Sequence, residues 1–125
     1  MRKQYHFWPS PEGLLAWDVD RLIDLSNDFP RTRVALDSIR EIDEVYWFDD
    51  EDERPTCRKL IVHLRLIDEA DLSCPIILGA DGRVMDGMHR VAKALLQKKA
   101  EIDAVRFERD PKPDYVGRKP SELPY

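Results

Sequence analysis

Apolar and polar residues change their period several times along this chain, and each change marks an element. Asp18-Val19-Asp20-Arg21-Leu22-Ile23-Asp24-Leu25-Ser26-Asn27 reads as a short helix capped by Asp18, with Val19, Leu22, Ile23 and Leu25 on its apolar side and Pro30 beyond its end. Arg33-Val34-Ala35-Leu36 then predicts a strand leading into Asp37-Ser38-Ile39. Glu44-Val45-Tyr46-Trp47-Phe48 is aromatic without a clean period, so helix, strand and packed loop all remain open there. From Pro55 to Ala70, residues Leu60, His63, Leu64 and Ile67 recur at helical spacing, and Pro55 suits a first turn.

The pattern then shortens. Pro75-Ile76-Ile77-Leu78 predicts a buried strand, Ala80-Asp81-Gly82 a turn, and Arg83-Val84-Met85 the return strand of a hairpin. A helix from Met88 to about Lys98 places Met88, Val91, Ala92 and Leu95 on one face. Ile102-Asp103-Ala104-Val105-Arg106-Phe107 alternates as a closing strand, and Pro111, Pro113, Pro120 and Pro124 mark an extended, non-helical tail. The order predicts an α+β domain, a short mixed sheet flanked by helices. Residues 1–32 read as an N-terminal helical extension, 33–109 as the main domain and 110–125 as a proline-rich tail.

With 125 residues, 42% of them hydrophobic and 36% charged, the chain has the composition of one soluble domain. No apolar run approaches the roughly 20 residues that span a bilayer, and Met1 to Trp8 lacks the apolar core of a signal peptide. Cys57 and Cys74 make no disulfide framework and read as small buried residues, so a cytoplasmic setting is expected. Residues 1–82 hold 10 Lys/Arg against 18 Asp/Glu, a net −8, whereas residues 83–125 hold 10 against 7, a net +3. Asp49-Asp50-Glu51-Asp52-Glu53 reads as a solvated acidic loop. An acidic whole argues against broad nucleic-acid binding, because phosphate neutralisation dominates that affinity. It leaves a local anion pocket open.

Asp86-Gly87-Met88-His89-Arg90 is the stretch richest in chemistry. A helix start offers unpaired N–H groups and a partial positive charge. Gly87 would let backbone approach a ligand, Arg90 could grip phosphate bidentately, and His89 and Lys93 lie one turn apart on one face. The candidate phosphate set is therefore Gly87, Met88, His89, Arg90 and Lys93. The same residues also suit an ordinary helix start, in which Asp86 caps the helix and His89 and Arg90 pair with nearby carboxylates.

Pro75-Ile76-Ile77-Leu78 followed by Asp81-Gly82-Arg83-Val84-Met85-Asp86-Gly87-Met88-His89-Arg90-Val91-Ala92-Lys93-Ala94 resembles the ParB/sulfiredoxin superfamily. The resemblance runs from about Val34 to Phe107 and is strongest over 75–95. It implies a strand–turn–strand–helix core whose Gly-x-x-Arg segment holds nucleotide phosphates, with Pro75 and Ile76 lining the pocket wall. Sulfiredoxin has a cysteine where this chain has Met88, and a thioether cannot act as a thiolate, so sulfinic acid reduction is not expected. Chromosome-partitioning members have Gly-Glu-Arg-Arg here and carry a helix-turn-helix and a dimerisation domain after it, whereas this chain stops, so centromere-type DNA reading is not expected.

The ParB-like free-serine kinases have Asp-Gly-His-His-Arg, which Asp86 to Arg90 matches at four of five positions. Leu36 to Val45 is similar to their acidic segment and puts Asp43 and Glu44 at the acidic positions, with Glu41 and Ile42 departing from it. The resemblance implies ATP, ADP or CTP with Mg²⁺ as cofactor. In phosphoryl transfer Asp43 or Glu44 would orient or deprotonate a hydroxyl, and Asp86 would cap the helix or help hold a metal. As an alternative, Asp43 and Glu44 form a surface acidic loop.

Cys57, His63, Cys74 and His89 match no zinc spacing, so no metal ligand set is assigned. His63 reads as a helix-packing histidine, and His6 as part of an aromatic segment packed on the domain or on a partner. Tyr46-Trp47-Phe48 offers either a base-stacking surface or a hydrophobic cluster. Three functions follow in order. The first is a nucleotide-binding or phosphotransferase domain acting on a nucleotide or another phosphate-bearing small molecule. The second is a protein-interaction module that keeps the fold without the chemistry. The third is nucleic-acid binding through the basic half. A membrane partner is not expected.

Overall fold

A computed structural model describes residues 3–48 and 54–125. The chain opens with an antiparallel hairpin, β1 (Tyr5–Ser10) and β2 (Gly13–Asp18), where a helical extension was expected. Helix α1 (Val19–Ser26) follows without a break, its N-cap Asp18 accepting a hydrogen bond from the Asp20 N–H at 2.9 Å. The third strand, β3 (Thr32–Ala35), leads through two 3₁₀ turns to residues 44–48, which form no regular element. The acidic stretch Asp49 to Glu53 lies outside the described residues.

Helix α2 (Cys57–Glu69) starts at Thr56, whose hydroxyl accepts from the Lys59 N–H, so Pro55 stands just before the helix and not in its first turn. Then come β4 (Ile76–Leu78), β5 (Val84–Asp86), α3 (Met88–Leu96) and β6 (Glu101–Arg106). A two-residue strand, β7 (Tyr115–Val116), lies in the tail that read as extended and non-helical, and a 3₁₀ turn over Pro120–Glu122 departs from that reading.

The strands form two sheets, β1-β2-β7 and β3-β6-β4-β5. In the second sheet β4 and β6 run parallel while the β3–β6 and β4–β5 pairs are antiparallel, so the fold is α+β with a mixed sheet. The expected closing strand, β6, therefore lies inside the sheet.

Both faces of this sheet are buried. Ile76, Leu78, Val84, Ile102 and Ala104 point to one side, against Met88, Val91 and Ala94 of α3 and Leu36 and Ile39. Ile77, Met85 and Val105 point to the other, against Trp17 of β2, Leu22 of α1 and Phe107. Side chains alternate across a strand, so the consecutive apolar residues of β4 need a cover on each side. The first thirty residues supply one of those covers and are integral to the core.

The helices bury narrower stripes than periodicity suggested. In α1 the inward residues are Val19, Leu22 and Ser26, with Ile23 and Leu25 exposed. In α3 they are Met88, Val91 and Ala94, with Leu95 exposed. Helix α2 buries no residue fully. It packs beside α3, where His63 meets His89; Lys59, His63 and Ile67 are half-buried, while Leu60, Ile61, Val62, Leu64 and Leu66 stay exposed. Cys57 and Cys74, expected inside, are both free and exposed. Among the described residues no helix is long and apolar enough to cross a membrane.

Leu22 is wholly buried between α1 and the sheet. Leu22→Ala should cost about 3 kcal/mol in urea denaturation, the usual range for a core leucine. A dispensable N-terminal extension would lose almost nothing.

Candidate functional site

The start of α3 is built by Gly87. Its φ of +108° is a left-handed conformation, which L side chains rarely adopt. A Cβ here would also lie 2.7 Å from Ile76 Cγ2 and 2.7 Å from an Arg90 guanidinium nitrogen. Glycine thus lets the Arg90 side chain fold back across the turn. There Arg90 Nη2 donates to Asp86 Oδ2 at 2.9 Å, in an i,i+4 pair whose side chains are only 18% and 17% exposed.

Asp86 is consequently Arg90's partner and not the helix cap expected of it. No side chain caps α3. The Gly87 carbonyl takes the N–H groups of Arg90 and Val91, at 3.0 and 3.1 Å. The Met88 and His89 amides belong to the first turn and have no acceptor within the helix. Arg90 Nε is buried with no hydrogen-bond partner. A guanidinium carries five N–H donors in a rigid fork, so the pair with Asp86 leaves capacity unused.

His89 turns toward α2. Its Nε2 lies 2.9 Å from His63 Nδ1, and the Trp47 ring stacks on both imidazoles at 4.6 Å, inclined 12° to His89 and 21° to His63. The aromatic run left open by sequence is therefore a packed loop clamping α2 to α3. Burial first, then His63 and Arg90, pushes the His89 pKa down to about 4. His6, stacked beside Trp17, is also held at about 4, again by burial above all.

The other candidates are scattered. Lys93 does not reach the helix start, because its Nζ donates to the Asp68 and Ala70 carbonyls at 2.7 and 2.8 Å and so closes the end of α2. Met88 is a core residue. Ile76 is wholly buried beneath Gly87 and forms no pocket wall, while Pro75 lines a small cleft of about 210 Å³ beside Arg90. Asp43 is exposed, and Glu44 pairs with Arg83 at 3.0 Å; neither lines the clefts at α3's start.

Two clefts flank that start. One, of about 290 Å³, lies between α1, α2 and α3 and takes in Gln4, Asp20, Asp71, His89 and Arg90. The other, of about 390 Å³, runs along β1 and includes Lys3, Tyr5, Phe7, Tyr46 and Trp47. Among the described residues no three His, Cys, Asp or Glu are grouped to hold a metal ion.

Sequence reasoning missed Glu41 and, for His63, which it read as helix-packing, the partner. Glu41 is buried (4% exposed), with Oε2 accepting the Val84 N–H at 2.7 Å. His63 faces His89, a pairing that a separation of 26 positions hides. Comparison of the chain with protein-family models, with curated proteins and with solved structures finds no match.

Gly87→Ala meets both the positive φ and the wall formed by Ile76, so it should cost at least about 2 kcal/mol in urea denaturation. An unchanged midpoint would mean the turn is not held as described.

His6 and His89 titrate lower when folded than the ordinary 6.5. The unfolded chain therefore binds protons first as pH falls. Stability is full above about pH 6.5 and declines toward pH 4, by about 2 kcal/mol for both imidazoles after allowance for solvent screening. Denaturation midpoints across pH 4–7 measure this, and His6→Gln/His89→Gln should flatten the window.

Proposed function

We propose that this protein is a phosphate- or nucleotide-binding domain related to the ParB/sulfiredoxin superfamily, with its anion site at the start of α3. The observation that carries the reading is the uncapped helix start beside a buried, only partly engaged guanidinium. The Met88 and His89 amides and Arg90 would hold phosphate oxygens, and the two flanking clefts offer room for the rest of a nucleotide. Tyr46 and Trp47 give the second cleft an aromatic wall suited to a base. Asp86 competes for Arg90, so a phosphate would share the guanidinium fork with it. The reading is one of binding, with ATP, ADP or CTP as ligands and Mg²⁺ arriving on the nucleotide.

A second reading, a protein-interaction module without nucleotide, is favoured by the exposed apolar residues of α2.

Thermal melts with ATP, ADP, CTP and GTP, each with and without Mg²⁺, separate the two. A ligand at a hundredfold excess over its dissociation constant adds about 2.7 kcal/mol, which raises the melting temperature by several degrees. We expect such a rise for wild type and none for Arg90→Ala. No rise with any nucleotide would sink the first reading and leave the second.

A further inference from the structure

β1 is an edge strand of one sheet and β5 an edge strand of the other. Both strands line the same grooves. Tyr5 to Pro9 form one wall of a cleft of about 500 Å³, and Glu41, Glu44, Val45, Tyr46, Arg83 and Val84 form the rest. That cleft takes in five consecutive β1 residues from both faces of the strand, so it follows the strand's edge.

The hydrogen bonding tells which groups face it. The Gln4 carbonyl accepts from Val19 N–H at 3.1 Å, and β1–β2 pairing is regular from Tyr5↔Asp18 to Ser10↔Gly13. Antiparallel residues alternate between inward and outward bonding. His6 and Trp8 therefore bond to β2, while the N–H and C=O of Tyr5 and Phe7 face outward. Among the described residues none bonds to them. Pro9 ends this run because it has no N–H.

On the opposite wall the edge of β5 is already blocked. Glu41 takes the Val84 N–H with Oε2, and its Oε1, also buried, has no hydrogen-bond partner. Buried carboxyl oxygens are nearly always partnered, so this one points to a donor still to arrive. Glu41 and Glu44 face a single cation, Arg83, which is held by Glu44 at 3.0 Å and by the Trp8 ring at 4.7 Å. Two acids against one base, with Tyr5, Phe7, Trp8 and Tyr46 around them, favour a positively charged side chain.

We infer that the cleft between β1 and β5 receives an extended peptide from a partner protein, pairing with Tyr5 and Phe7 and presenting a lysine or arginine to Glu41. Strand addition of this kind draws affinity from main-chain bonds and specificity from alternate side chains. The inference does not depend on the nucleotide reading, whose phosphate site lies on α3, although the cleft offered there for the base shares Tyr5, Phe7 and Tyr46 with this one.

The test is a positional-scanning library of acetylated, amidated hexapeptides, applied to the full chain. Wild type should select Lys or Arg at one position. The best peptides should slow hydrogen exchange at the Tyr5 and Phe7 amides at least tenfold. Glu41→Gln, which keeps an oxygen for the Val84 N–H, should lose the basic preference by about tenfold. If that variant melts far below wild type, Glu44→Gln, which removes the cleft's other acid, should weaken the basic preference instead, and an unchanged preference there would overturn the inference. No library binding would overturn the inference, as would peptides that bind without protecting Tyr5 and Phe7. Protection of those amides that rises with protein concentration alone would assign the edge to a second copy and overturn it equally.

Discussion

The structure depends on burying the β4–β6 pair from both sides. Ile76, Ile77 and Leu78 are successive residues that cannot all face one core. Met88, Val91 and Ala94 of α3 serve one face, and Trp17 and Leu22 of the N-terminal segment serve the other. Each apolar side chain wholly removed from water contributes about 1.5–3 kcal/mol, so either cover alone would leave much of that unrealised. The same arrangement fixes the candidate site. Gly87 sits directly on Ile76, and the helix start is held against the sheet at the point where α1, α2 and β1 converge on it.

What sequence conveyed depended on how local the governing contact is. Asp18 as cap and the β4–turn–β5–α3 succession rest on neighbours within a few residues, and both were readable. The β1–β2 hairpin was not. Tyr5-His6-Phe7-Trp8 is wholly aromatic, and it alternates only once Trp17 and the sheet define an inside. Helix α2 was readable as a helix, but its inward face was only half readable, for a related reason. Leucine, isoleucine and valine stand nearly all round it, so periodicity found His63 and Ile67 on the inward side but added Leu60 and Leu64, which are exposed, and missed Lys59. Strand β7, two residues long, exists only because β2 is there to pair with it.

The candidate site was legible as a segment but not as a geometry. Gly87 and Arg90 were found in their right relation, one turn apart, and their shared dependence on Ile76 was invisible. Lys93 looked cationic and available. It spends its ammonium on carbonyls of another helix, about 25 positions away. Glu41 carried no signal, because a buried glutamate in a 3₁₀ turn is spelled like a surface one.

The tail has a consequence for assembly. Trp17 Nε1 donates to the Pro111 carbonyl at 2.8 Å, Arg21 pairs with Asp114 at 3.1 Å, and the Tyr5 hydroxyl donates to the Pro124 carbonyl. The rings of Tyr5 and Tyr125 meet edge to face at 5.2 Å. The segments around Tyr5 and Tyr125 are thus stitched together, and the backbone between them approaches a closed ring. Bringing such distant ends together costs entropy of about 4 kcal/mol for a loop of about a hundred residues, and that cost rises only logarithmically with length. An insertion elsewhere would therefore tax the closure little. A covalent link between the Tyr5 and Tyr125 segments would remove the cost from folding, and new openings elsewhere in the ring would then be tolerated.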